Sequence, residues 1–137
     1  SFEPRRTANG IELNRLVLIS AVLSKQSSVD MTGKDLIVNV VGGIRVSEPA
    51  ADLGIALAIA SSALDKEFPS NTAAVGELGL TGEIRKSTYI ERRITELARL
   101  GFQRVIVPKS FVPTDSLNDI DINLIKVNNI EEAIKKF

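Results

Sequence analysis

The sequence predicts an α/β (α+β) domain with helices packed on a mixed sheet. Three observations carry that prediction. Stretches whose apolar residues recur every three to four positions alternate with short β-branched runs, in the order helix, strand, helix, strands, helix, strand, strand, helix. The 137 residues suffice for one domain with a sizeable core and leave no room for a second. Apolar residues make up 44% and charged residues 25%, with Gly and Pro dispersed, which is a globular composition rather than a disordered one.

Residues 9–26 are expected to form the first helix, because Leu13, Leu16, Val17, Ser20, Ala21 and Ser24 share a 3.6-residue period and Asn9 offers a cap. The polar stretch 27–34 ends in Thr32-Gly33-Lys34, a turn signal. Residues 36–41, LIVNVV, read as a central strand closed by Gly42 and Gly43, with 44–46 a candidate extension beyond a bend. Pro49 suits the first turn of the next helix, where its missing N–H leaves no bond unmade, and that helix is expected to run to about 66. Its apolar residues occupy most of the circumference and many are alanine, which predicts close packing on several sides. The stretch 68–71 ends it. Residues 73–77 and 78–81 read as short strands, with Gly76, Gly79 and Gly82 where side chains would obstruct a bend. Residues 89–100 are predicted helical with Ile90, Ile94, Leu97 and Ala98 inward, closing on Gly101 as a left-handed cap. A strand over 105–107 stops at Pro108, 111–121 are loop or a short helical turn, 122–127 a last strand and 130–137 a closing helix.

The chain has no Cys and no His, which removes disulfides, thiolate nucleophiles, the usual zinc sets and any triad with an imidazole base. Catalysis here would need an acid, a lysine, or a serine paired with a lysine. The 17 basic and 17 acidic side chains cancel, so a nucleic-acid role must come from a local patch. Apolar stretches are interrupted within about twelve residues, so neither a membrane span nor a signal peptide is expected. The opening SFEPRR, without an initiator methionine, is expected of a piece of a longer protein.

Glu48 and Asp52 lie four apart at a helix start, hence on one face near the positive end of the dipole. They either balance that dipole or begin an acid site, which would need a third carboxylate from Glu77 or Glu83. The glycines of 76–82 lack the Walker Lys-Ser or Lys-Thr pair and do not fit Gly-x-Gly-x-x-Gly, so no cofactor or metal site is expected in the chain. Between 83 and 104, six cations (Arg85, Lys86, Arg92, Arg93, Arg99, Arg104) face three carboxylates (Glu83, Glu91, Glu96). The helical members form either a solvated face, with Glu96 pairing Arg92, or a phosphate-contacting edge with Arg85 and Lys86. Arg5 and Arg6 either contact phosphate or belong to a linker. Tyr89 is the only aromatic placed to stack on a base, so backbone contacts fit better than stacked bases.

Five segments carry a resemblance: RRTANGIELNRL at 5–16, VNVVGGIRVSEPAADLGIALAIASS at 38–62, GELGLTGEIR at 76–85, IERRITELARLGF at 90–102 and VIVP at 105–108. This ordered set, spread over essentially the whole chain, resembles the proteolytic domain of the Lon protease family, which has the ribosomal protein S5 domain 2-like fold. It is more closely similar to the Lon-like carboxy-terminal domain of a family of bacterial DNA-repair ATPases. In the proteases a nucleophilic serine is activated by a lysine. Keeping Gly54-Ile55 and Gly76-Glu77 in register puts Asp52 at the serine position and Arg93 at the lysine position. Both halves of the dyad are thereby replaced, and an arginine, which stays protonated, supplies no neutral amine to accept a proton. No catalytic residue is expected; Asp52 and Arg93 become candidate partners for each other, while Ser47 and Ser87, with Lys86 or Lys34, lie outside the nucleophile register.

The resemblance implies a noncatalytic domain at the carboxy-terminal end of a chain that also carries a zinc finger and a RecA-like ATPase. The whole would be a hexameric, ATP-driven branch-migration motor or helicase of DNA repair and recombination. ATP, Mg and Zn would act in those other domains and none here. The implied partners are further copies in a homo-hexamer, DNA that is single-stranded or branched, and a recombinase or replicative helicase. No membrane contact is implied, and the location is cytoplasmic. The DNA-facing surface falls to Arg5, Arg6, Arg45, Arg85, Lys86, Arg92 and Arg93. Two other readings compete: an oligomerisation scaffold without DNA contact, and a residual serine peptidase.

Overall fold

The computed structural model describes residues 3–137. In chain order its elements are β1 (Arg6–Asn9), α1 (Leu13–Gln26), β2 (Leu36–Asn39), α2 (Asp52–Leu64), β3 (Thr72–Ala74), β4 (Glu77–Leu78), β5 (Ile84–Arg85), α3 (Ile90–Arg99), β6 (Arg104–Pro108), β7 (Asn123–Val127) and α4 (Ile130–Ile134). Short 3-10 turns cover Val41–Gly43, Pro49–Ala51 and Asp115–Leu117. The expected mixture of parallel and antiparallel pairing is present, distributed among the described residues over three small sheets: parallel β1-β2, parallel β3-β6-β7 and the antiparallel hairpin β4-β5.

The sequence does not announce β1, whose RTAN is short, polar and exposed at every second residue. It exists because β2 lies beside it, from Arg6 opposite Leu36 to Asn9 opposite Asn39. With Asn9 spent on β1, the first helix begins at Leu13, behind Glu12 rather than the expected Asn9 cap. Between them Gly10 turns the chain at φ +90°; a Cβ there would sit 2.6 Å from Val40 Cβ and 2.7 Å from the Ile44 carbonyl oxygen. Both the backbone angle and the space therefore require glycine. The predicted extension at 44–46 reduces to one bond, the Val46 N–H donating to the Gly10 carbonyl at 2.6 Å, within an exposed strap that runs to Glu48.

α2 is the central helix, as its all-round apolar surface predicts. Leu53, Ala56, Leu57 and Ala60 pack with Leu16, Ile19 and Leu23 of α1, Ile106 of β6, Val127 of β7 and Ile130 of α4. A second core lies on the other face of β3-β6-β7, where Ile90 and Ile94 of α3 meet Val75, Val105, Val107 and Phe111. Alternate residues of β6 thus serve two cores, which is why VIVP, after Arg104, is an unbroken apolar run rather than an alternating one. The end of α3 follows the prediction closely. Gly101, at φ +97°, donates to the Ala98 carbonyl and Phe102 donates to Leu97, the paired bonds of a Schellman motif. The two predicted strands at 73–77 and 78–81 become β3 and a hairpin whose turn occupies 79–83. Among the described residues, no helix is long and apolar enough to cross a membrane.

Candidate functional site

Two cavities flank the start of α2. The larger, about 980 Å³, is an open cleft between the Pro49–Ala51 turn, β3 and the first turns of α3; Ala50, Ala51, Val75 and Leu97 form its floor and Tyr89, Arg92 and Arg93 its rim. The smaller, about 120 Å³, lies under the strap and is lined by Glu12, Arg15, Arg45, Ser47 and Asp52. The residues lining the two cavities include no lysine.

Asp52 is buried, its side chain 2% exposed. Its partner is not Arg93 but Arg15, from the first turn of α1: Arg15 Nε donates to Oδ1 at 2.7 Å and Nη2 donates to Oδ2. The Leu78 N–H of β4 adds a third bond to Oδ2 at 3.0 Å. One carboxylate therefore ties α1, α2 and the β4-β5 hairpin together. The same bond holds the Arg15 proton more tightly than in a free guanidinium, outweighing the cost of partial burial. Sequence reasoning missed Arg15, although one signal pointed to it. An aspartate between alanine and leucine on a core helix needs a cation, and α1 holds only Arg15 and Lys25.

Arg93 stands about a third exposed on the rim, where its Nε donates to the Thr88 carbonyl at 2.9 Å and Nη2 reaches Glu48 at 3.4 Å. Glu48 and Asp52 do not share a helix face, because Pro49 opens a 3-10 turn and leaves Glu48 extended outside α2. No third acid joins them; among the described residues no group of three His, Cys, Asp or Glu is placed to hold a metal. Glu91, in the first turn of α3, accepts from the Thr114 N–H and hydroxyl and from the Ser116 hydroxyl, which clasps the 3-10 turn at Asp115–Leu117 and holds the Glu91 carboxyl below its ordinary range. Glu96 pairs with Arg99 one turn on, not with Arg92 as its spacing suggests. Arg92 instead lies over the Tyr89 ring, 5.6 Å from its centroid.

The remaining cations separate into two groups. Arg85 and Lys86 are exposed at the end of the hairpin, just ahead of α3, and Arg85 pairs with Glu83 at 2.9 Å. That bond and a stronger one from the Thr81 hydroxyl take the Glu83 carboxyl from an ordinary 4.5 to about 2. Arg45 is exposed on the strap between the cavities. Arg5 and Arg6 lie apart from these, at the opposite end of β1-β2. Arg6 donates to Ser20 Oγ at 3.1 Å and to the Lys34 carbonyl at 2.6 Å, fastening β1 to α1 and to the loop before β2, while Arg5 is exposed. Ser47 lines the small cavity, and the Ser87 hydroxyl is enclosed without a hydrogen-bond partner.

Helices packed on parallel and antiparallel sheets, with the Asp52 carboxylate held in a salt bridge, make an α/β domain of the Lon-like kind. The chain belongs to the family whose model is described as ChlI, subunit ChlI of Mg-chelatase, which matches residues 14–110. It is 44% identical over 132 residues to the DNA repair protein RadA of Streptococcus pneumoniae (strain ATCC BAA-255 / R6), covering 96% of this chain and 31% of that protein. The RadA proteins of Halalkalibacterium halodurans and Escherichia coli (strain K12) are each 41% identical to it, over 96% and 98% of the chain. The chain spans about three-tenths of the length of these relatives. They are of the DNA-repair kind that its five segments resemble.

Proposed function

We propose that the chain is the noncatalytic Lon-like domain of a DNA repair and recombination ATPase, and that it supplies hexamerisation and sequence-independent DNA binding. The observation that carries this reading is the cation group before and on α3. Arg85, Lys86, Arg92 and Arg93 fall within nine residues of sequence, the last two lining an open cleft, while the register that would hold a nucleophile is spent on the Arg15–Asp52 pair. Cations on an exposed edge hold phosphates without reading bases, and six copies around an axis turn a modest patch into a basic ring. Arg45 extends the patch across the strap; Arg5 and Arg6 belong to it only where the ring brings β1 of one copy toward α3 of the next. ATP, Mg and Zn act in other domains of the whole protein, a cytoplasmic branch-migration motor working with a recombinase or replicative helicase.

The test is DNA binding by the chain over a salt series, with its particle mass measured alongside. Four phosphate contacts give a log–log salt slope of about −3 on single strands. Replacing Arg85, Lys86, Arg92 and Arg93 together by Gln is expected to flatten that slope and weaken binding to every sequence alike. Full binding by that variant at low salt refutes the assignment. The exposed Ile37, Val41 and Ile44, 71%, 86% and 62% accessible, favour a second reading, an oligomerisation scaffold alone. It predicts assembly with no DNA affinity.

A further inference from the structure

Tyr89 is the single tyrosine of a chain that has no tryptophan. It holds the N-cap of α3 in the left-handed region, φ 57° and ψ 33°, with no capping bond from its side chain. Bulky L-residues seldom adopt that conformation, and such strain collects at functional sites. Its ring is not tucked into the core: the residue is 69% exposed at the rim of the large cleft. Arg92 covers one side of the ring at 5.6 Å and has no carboxylate partner among the described residues. One aromatic alone makes a poor stacking surface, but here the guanidinium braces the ring from one side and leaves the other side for a base. Residues 85–93 carry Arg85, Lys86, Arg92 and Arg93 against Glu91 alone, and the Glu91 carboxylate is engaged by Thr114 and Ser116.

We infer that Tyr89 and Arg92 form a nucleobase platform, which takes one unpaired base of single-stranded DNA on the open face of the ring while Lys86 and Arg92 meet the neighbouring phosphates. In a duplex the base faces are covered by their neighbours, so the platform selects unpaired strands without reading sequence. This rests on the DNA-binding reading above and adds which form of DNA the domain holds.

The single tyrosine provides the test. The chain is titrated with oligothymidylate and with a duplex of the same length while its tyrosine emission, corrected for absorption by the DNA, is followed. Oligothymidylate is expected to quench the emission and the duplex to leave it unchanged. Tyr89→Gly, which removes the ring and suits the left-handed backbone, is expected to raise the Kd for labelled oligothymidylate about tenfold, with duplex affinity unaltered and the melting temperature not lowered. Tyr89→Phe keeps the affinity. Salt-sensitive binding with no quenching and no effect of Tyr89→Gly overturns the platform and leaves the DNA-binding reading standing, as does equal quenching by duplex. Absence of binding to either DNA overturns both.

Discussion

Replacing Arg15 by Met keeps the apolar stem of the side chain, removes the guanidinium, and strands the Asp52 carboxylate with one donor, the Leu78 N–H. Removing one partner of a fully buried ion pair costs about 3–5 kcal/mol. Here the Arg15 side chain is 33% exposed, and the adjoining cavity of about 120 Å³ can admit water to the carboxylate, so the figure must be discounted. The expected loss is about 2–3 kcal/mol at neutral pH. At this chain length that corresponds to a fall in Tm of about 6–12 °C. It also lowers the urea midpoint by roughly 1 M, read by circular dichroism. The companion variant is Arg15→Met with Asp52→Asn, which removes the orphaned charge while an amide oxygen still accepts from Leu78. It is expected to recover more than half of the loss, because the damage lies in the unpaired charge rather than in the missing contact. A loss below about 0.5 kcal/mol for the single variant, or a double variant no more stable than the single, would refute the view that this pair holds α1, α2 and the hairpin together.

Two further outcomes follow from the geometry. The folded Glu83 carboxyl titrates at about 2 instead of 4.5, so its contribution to stability is fully present above pH 4.5 and is lost as pH falls toward 2. Urea midpoints of Glu83→Gln and the unaltered chain should therefore differ at pH 7 and converge near pH 2; a constant gap would contradict the assignment. Gly10→Ala meets both a positive φ and a Cβ within 2.6 Å of Val40, and is expected to cost about 2–4 kcal/mol, checked by the same denaturation. An alanine variant as stable as the original would mean that β1 and β2 separate freely at that corner.

Where the sequence succeeded, the information was local. The inward period of α3, its glycine cap and the apolar run of β6 are set by neighbours within a few residues, and each is found as predicted. The failures share a different cause. β1 is a strand only through a partner about thirty residues away. Asp52 is legible as a carboxylate at a helix start, but its cation lies 37 residues upstream on another helix, and the crossing of two helices is not written in spacing. Glu48 left the face of Asp52 because proline opened a 3-10 turn rather than an α-helix. Glu96 chose Arg99 over Arg92 because the Tyr89 ring, left-handed at the helix start, holds Arg92 elsewhere. Of the assigned cations, Arg92 and Arg93 line the large cleft, Arg45 lines the small cavity, and Arg6 has a fastening role that no charge count reveals.

The Arg15–Asp52 pair also limits what positions 15 and 52 can hold. A serine at position 52 would leave the Arg15 guanidinium without its anion and the Leu78 N–H without a carboxylate acceptor. A lysine at position 93 would lose the paired contacts to Thr88 and Glu48 that the Arg93 guanidinium makes. Position 52 is thus coupled to position 15 through a single buried carboxylate, and a change at one is tolerated only with a change at the other. The start of α2 is therefore locked by one carboxylate, while the cleft beside it carries no such constraint.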